Sequence, residues 1–84
     1  MSEFTVDTRY FFRTEKSDYV GTVIAERDGY LLLSRGSIIK DCGWLESSLK
    51  TGNFLTSYKI LGIMYLQTHK IEMFVVFNPE NDIL

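Results

Sequence analysis

Residues 58–77 constrain the fold more than any other part of the chain. They read Tyr-Lys-Ile-Leu-Gly-Ile-Met-Tyr-Leu-Gln-Thr-His-Lys-Ile-Glu-Met-Phe-Val-Val-Phe. The pattern predicts one long β-hairpin turning at Thr68 and His69. Such a turn pairs Leu66 with Ile71, Met64 with Met73, Gly62 with Val75 and Ile60 with Phe77. Side chains alternate across a strand, so these residues share one face, with Tyr58 farther along it. That face is wholly apolar and is expected in the core. The opposite face is polar near the turn, at Gln67, Lys70 and Glu72. It turns apolar farther along, at Leu61, Ile63, Phe74 and Val76.

Residues 4–13 also alternate. Phe4, Val6, Tyr10 and Phe12 point one way with Thr8, while Thr5, Asp7, Arg9 and Arg13 point the other. This is the pattern of a half-buried strand, with Phe11 interrupting its polar side. A polar turn over residues 15–18 leads into a second hairpin over residues 19–34. Asp28-Gly29 at its centre suits a type I′ turn, which needs positive φ at both central residues. The turn pairs Arg27 with Tyr30, Glu26 with Leu31, Ala25 with Leu32, Ile24 with Leu33 and Val23 with Ser34. One face holds Tyr19, Val23, Ala25, Tyr30 and Leu32; the other holds Val20, Ile24, Leu31 and Leu33. A strand pair apolar on both sides is covered twice, or covered once and exposed to a partner.

Arg35-Gly36 reads as another turn, followed by a short apolar piece over residues 37–40. Asp41 can then cap a short helix over residues 43–50. Its apolar stripe is Trp44, Leu45 and Leu49, Lys50 suits the negative end of the helix dipole, and Gly52 supplies a left-handed stop. Two helical turns need tertiary packing to hold them, and Trp44 is the expected key into the sheet. Residues 54–66 alternate, with Gly62 a bulge or bend. Asn78-Pro79 ends the last strand, and the tail over residues 80–84 is expected to be loose. These elements predict a single α+β domain over residues 1–84. It has about five antiparallel strands in a curled sheet and one short helix packed on it. A small open β-barrel with the helix plugging one end is the alternative.

Hydrophobic residues make up 45% of the chain and aromatics 14%, which excludes intrinsic disorder. A net charge of −2 and a pI near 5.2 argue against the basic surface of a nucleic-acid binder. No dense run of acids suggests a DNA mimic either. The single cysteine, Cys42, cannot form an internal disulfide, so a reducing, cytoplasmic location is expected. No basic-then-apolar leader is visible, and no apolar run is long enough to span a bilayer, so no membrane is expected as a partner.

Candidate chemistry is sparse. His69 lies at the predicted turn tip, where a histidine is ordinarily just polar and exposed. Cys42 precedes the predicted helix, where a thiolate would be favoured, but no base is near it in sequence. Glu26 and Asp28 flank Arg27 at a hairpin tip, and turn chemistry explains Asp28. Arg35-Gly36-Ser37 offers backbone amides to an anion, although a turn explains the glycine as well. No convergent acid, base and nucleophile is present, so no enzymatic activity, metal or cofactor is expected. The run Arg9-Tyr10-Phe11-Phe12-Arg13 mixes basic and aromatic residues, as single-strand binders do. With Tyr10 and Phe12 in the core, Arg9, Phe11 and Arg13 are left outside, where arginine and aromatic residues suit an interface. The closing Phe-Val-Val-Phe echoes an RNA-recognition motif, but Glu72 occupies a position that needs a stacking aromatic.

Residues 21–37, with the core Asp-Gly-Tyr-Leu-Leu-Leu-Ser-Arg-Gly-Ser, resemble the opening of a small uncharacterised domain. That domain is appended to GIY-YIG nucleases and to restriction-modification subunits. The resemblance covers under a quarter of the chain and supplies no site residues. It implies a protein working around nucleic-acid defence systems.

The apolar surplus on the strands is most simply covered by a second protein surface, in a homodimer or a heterologous complex. The chain is therefore expected to be a small non-enzymatic protein-binding module. By analogy of class it is an inhibitor or regulator of the phage anti-defence, immunity or antitoxin type. The expected partner-binding residues are Arg9, Phe11 and Arg13 on the first strand, with Tyr65 and Glu72 on the last hairpin. The alternative is a nucleic-acid-binding accessory domain using Arg9, Phe11 and Arg13 with Lys16 and Arg27.

Overall fold

A computed structural model describes residues 3–41 and 43–78. Three strands come first: β1 (Arg9–Thr14), β2 (Asp18–Arg27) and β3 (Tyr30–Asp41). Helix α1 (Leu45–Thr51) follows, then β4 (Thr56–Lys59), β5 (Met64–Gln67), a 3-10 turn over Thr68–Lys70 and β6 (Ile71–Val76). The strands form one antiparallel six-stranded sheet in the order β4-β3-β2-β1-β6, with β5 also beside β3. The α+β fold with a curled sheet and one short helix is thus the one expected, with six strands in place of about five.

The β2–β3 hairpin follows its turn chemistry. Asp28 and Gly29 take φ of 50° and 81°, as a type I′ turn requires. The expected pairs Arg27–Tyr30, Glu26–Leu31 and Ala25–Leu32 form. The register then departs from expectation, because Val23 lies opposite Leu33 and Thr22 opposite Ser34. Ile24 is the extra residue of a β-bulge. The expected turn at Arg35-Gly36 is also a bulge, inside a strand of 12 residues. Arg35 takes φ of 49° there, the left-handed conformation that resembles a turn in sequence.

Close approach of backbone to side chain explains Gly21. A Cβ built there would lie 2.9 Å from Leu33 Cβ, which is fixed to the backbone. At Gly36 the nearest atom, also at 2.9 Å, is the terminal methyl of flexible Met64. Gly21→Ala is expected to cost about 1–3 kcal/mol by overpacking, and Gly36→Ala clearly less. Urea denaturation of both variants measures the difference.

The largest correction concerns the C-terminal hairpin. β5 does not pair with β6. It lies beside β3, with Leu66 opposite Leu31 and Met64 opposite Leu33, while β6 lies beside β1, with Phe74 opposite Phe12. A two-residue hairpin of the favoured types needs positive φ at its turn, and neither Thr68 nor His69 adopts it. The 3-10 turn is instead tied to the other hairpin: the Thr68 N–H and hydroxyl both donate to Gly29 O, at 2.9 and 3.1 Å. Three residues thus connect strands on the outer sides of β3 and β1, which requires the sheet to curl. β4 and β5 together form one interrupted edge strand along β3. They are separated by residues 60–63, where Gly62 makes the expected bend at φ 87°.

Curling gives the sheet a core on each face. Inside the curl, Tyr10, Phe12, Val23, Leu31, Leu33 and Leu66 are buried together. Phe4 closes this cluster, its ring 4.6 Å from that of Phe74. Residues 4–8 are not strand as expected. Asp7 turns the chain at φ 69°, a conformation aspartate tolerates, and Val6 is exposed. On the outer face Phe11, Val20, Ile39 and Phe77 are buried under Leu45, Leu49 and Phe54. A bulge at Glu72 sends Ile71 to the inner cluster and Met73 and Val75 to the outer one. The single apolar face expected for the last two strands is therefore split between two cores.

Helix α1 begins later than expected. Trp44 is its N-cap, and Asp41 Oδ1 accepts the Gly43 N–H at 3.0 Å, shaping the approach without capping the helix. The stripe facing the sheet is Leu45, Ser48 and Leu49, the i, i+3, i+4 spacing of one helix face. Trp44 lies off that stripe and is 85% exposed, so it is not the key into the sheet. Gly52 ends the helix as expected, at φ 78°, with its N–H donating to Ser48 O at 2.8 Å.

Candidate functional site

β1 is paired on both sides, by β2 and β6. That placement overturns the expected outer position of Phe11. Its ring is fully buried and stacked on Phe54 (centroids 6.2 Å apart), which stacks in turn on Phe77 (5.8 Å). Arg13 lies over the Phe11 ring at 5.8 Å and grips Asp18 with two bonds, Nε to Oδ1 at 3.0 Å and Nη2 to Oδ2 at 3.1 Å. Arg9 donates from Nη1 to Arg35 O at 2.9 Å and to Thr22 Oγ1 at 3.4 Å. The three residues do share a face, but it is the face covered by α1 and Phe54, and Phe11 offers no ring for stacking from outside.

Tyr65 is placed differently. It is 64% exposed on β5, opposite Leu32. Its ring meets Tyr30 edge-on at 6.4 Å, and the Tyr30 hydroxyl accepts a bond from Gln67 Nε2 at 3.2 Å. Leu32 is half-buried, and the outer apolar cluster under α1 does not reach it. The sheet near the Asp28-Gly29 turn is thus covered on its inner face only. Glu72 is exposed at the bulge of β6, on the opposite side of the strand order from Tyr65. The expected site residues therefore do not form one surface.

The surface missed in the sequence is the β4–β5 edge. Leu55, Tyr58, Leu61, Ile63 and Tyr65 are all exposed along it, with Leu61 at 95%. Among the described residues β4 and β5 pair only with β3, so their outer edge has no strand partner. Edge strands are ordinarily blunted by charge or proline, but β5, Met-Tyr-Leu-Gln, carries neither. The exposure of Leu61 and Ile63 is the apolar surplus already visible in their alternation. The edge itself is hidden in the sequence, because the alternation over residues 60–67 suits a hairpin strand that is paired on that side.

His69 is exposed, and among the described residues no group of three or more His, Cys, Asp or Glu side chains could hold a metal ion. Cys42 and the tail lie outside the described residues. No helix among the described residues is long and apolar enough to cross a membrane. Comparison with known protein families, with characterised proteins and with solved structures returns no match to this chain.

Proposed function

We propose that this protein is a non-enzymatic binding module that holds a protein target against its β4–β5 edge and the adjoining Tyr30–Tyr65 face. It acts as an inhibitor or regulator of that target. The observation that carries the reading is an uncharged edge strand, without an outer strand partner among the described residues, flanked by exposed leucine, isoleucine and tyrosine side chains. A target strand added to such an edge gains backbone hydrogen bonds, and alternate side chains supply specificity. Each large apolar side chain buried at the contact contributes about 1.5–3 kcal/mol. The resemblance of residues 21–37 to a domain appended to nucleases and restriction-modification subunits is the ground for expecting a target among nucleic-acid defence proteins.

Capture from host lysate tests the reading, using tagged wild type, Leu61→Asp and Tyr65→Glu, with and without nuclease. Leu61 is almost fully exposed, so Leu61→Asp is expected to change stability by no more than about 0.5 kcal/mol. The expected result is one stoichiometric protein that survives nuclease and is recovered at least about tenfold less well by both variants. Recovery abolished by nuclease contradicts the reading. So does recovery that neither variant reduces, or a wild type that captures only further copies of itself.

A further inference from the structure

The open side of the curl adjoins β5 and has a charge of its own. A cleft of about 480 Å³ lies there. Tyr65, Leu66 and Gln67 of β5 line it, with Glu15 and Lys16 from the turn after β1. In the sheet β3 and β2 separate β5 from β1, so a cleft shared by β5 and the end of β1 is the gap that the curl leaves. Lys70 of the 3-10 turn lines the same space, with Tyr19 and Tyr30. Lys16 and Lys70 are both exposed, and neither is in an ion pair among the described residues. Glu15 is the one acid among the described residues lining the cleft. The lining is therefore net positive, whereas the chain as a whole carries −2. The Tyr30 hydroxyl accepts the Gln67 Nε2 bond at 3.2 Å and keeps its own proton to donate.

We infer, resting on the reading of the β5 edge as a site of strand addition, that the strand it accepts is acidic. The occupant is an extended segment of the target in which glutamate or aspartate alternates with apolar residues. Its backbone bonds to β5, its apolar side chains meet the tyrosine rings, and its carboxylates meet the two ammonium groups and the Tyr30 hydroxyl. Lysine at a sheet edge ordinarily keeps other strands away. Here the lysines stand across the gap from β5 and not on it, so they leave its backbone groups open and select by charge. Two ammonium groups repel a basic strand as well as attracting an acidic one, and the repulsion adds to specificity. Nucleic acid is the less suitable occupant. Tyr65 offers it an exposed ring, but a single strand also needs cations that track its backbone, and this cleft has two beside an acid. A nucleic acid would also leave the outer backbone groups of β5 without strand partners.

Amide chemical shifts of the intact chain, titrated at low salt with three short capped peptides, test the inference. The peptides alternate valine with glutamate, with glutamine or with lysine. The glutamate peptide is expected to shift residues 64–67 together with Lys16 and Lys70. It is expected to bind about three- to tenfold more tightly than the glutamine peptide, the range for two exposed charge contacts, and the lysine peptide more weakly than either. In the Lys16→Glu, Lys70→Glu double variant the order is expected to reverse while the melting temperature stays unchanged, since both positions are exposed. Equal binding of all three peptides along residues 64–67 overturns the inference and leaves strand addition standing. A glutamate preference that survives in the double variant overturns it too. No saturable shift along residues 64–67 from any peptide at millimolar concentration overturns both the inference and strand addition. A short oligothymidylate that shifts the same residues and binds more tightly than the glutamate peptide overturns the inference in favour of nucleic acid.

Discussion

Phe11→Ala is expected to destabilise the protein by about 3–5 kcal/mol, the usual cost of emptying a buried aromatic site. The side chain is fully buried and stacked on Phe54, with Val20, Ile39 and Phe77 in the same cluster. Removing it strips the helix-side core of its central ring and leaves Arg13 without the surface it lies over. A domain of 84 residues has a total stability on the order of 5–10 kcal/mol, so the variant is left near unfolding. Urea denaturation measures the loss. A change below about 1 kcal/mol would return Phe11 to the surface, where its place in an arginine-flanked strand suggested it lay.

Leu66→Ala is expected to cost about 2–5 kcal/mol for a similar reason on the other face. Leu66 is 7% exposed, lies across from Leu31 on β3 and belongs to the inner cluster. The same experiment distinguishes the observed pairing from a C-terminal hairpin. In a hairpin Met64 and Met73 are direct neighbours, and their alanine variants would couple. Here Met64 packs on the inner cluster and Met73 on the outer one. The double variant is therefore expected to equal the sum of the singles within about 0.5 kcal/mol.

What the sequence showed depended on how local the cause was. Asp28-Gly29 set a turn through its own backbone preferences, so its three nearest pairs were readable. Ile24 was not, because a bulge adds a residue without changing composition. The alternation around Leu66 and around Phe74 correctly marked strands but carried no information about which neighbour each would take. Thr68-His69-Lys70 held a hint: it lacks the glycine or asparagine that a tight hairpin turn favours. Phe11 shows the same limit for the site. An aromatic on the polar side of an alternating strand suits an interface or a second core equally, and only the pairing of β6 with β1 decides for the core. The exposure of Tyr65 was legible because it sits in a strand whose outer face stays uncovered, while that of Trp44 was not, because the helix begins one residue after it.

Hydrogen exchange of residues 60–67, with and without the captured target, tests the central claim most directly. Strand addition predicts that amides on the outer edge of β5 slow by at least about tenfold in the complex, while those already bonded to β3 change little. Unchanged exchange along β5, with protection confined to β6 or α1, would contradict a binding surface at this edge.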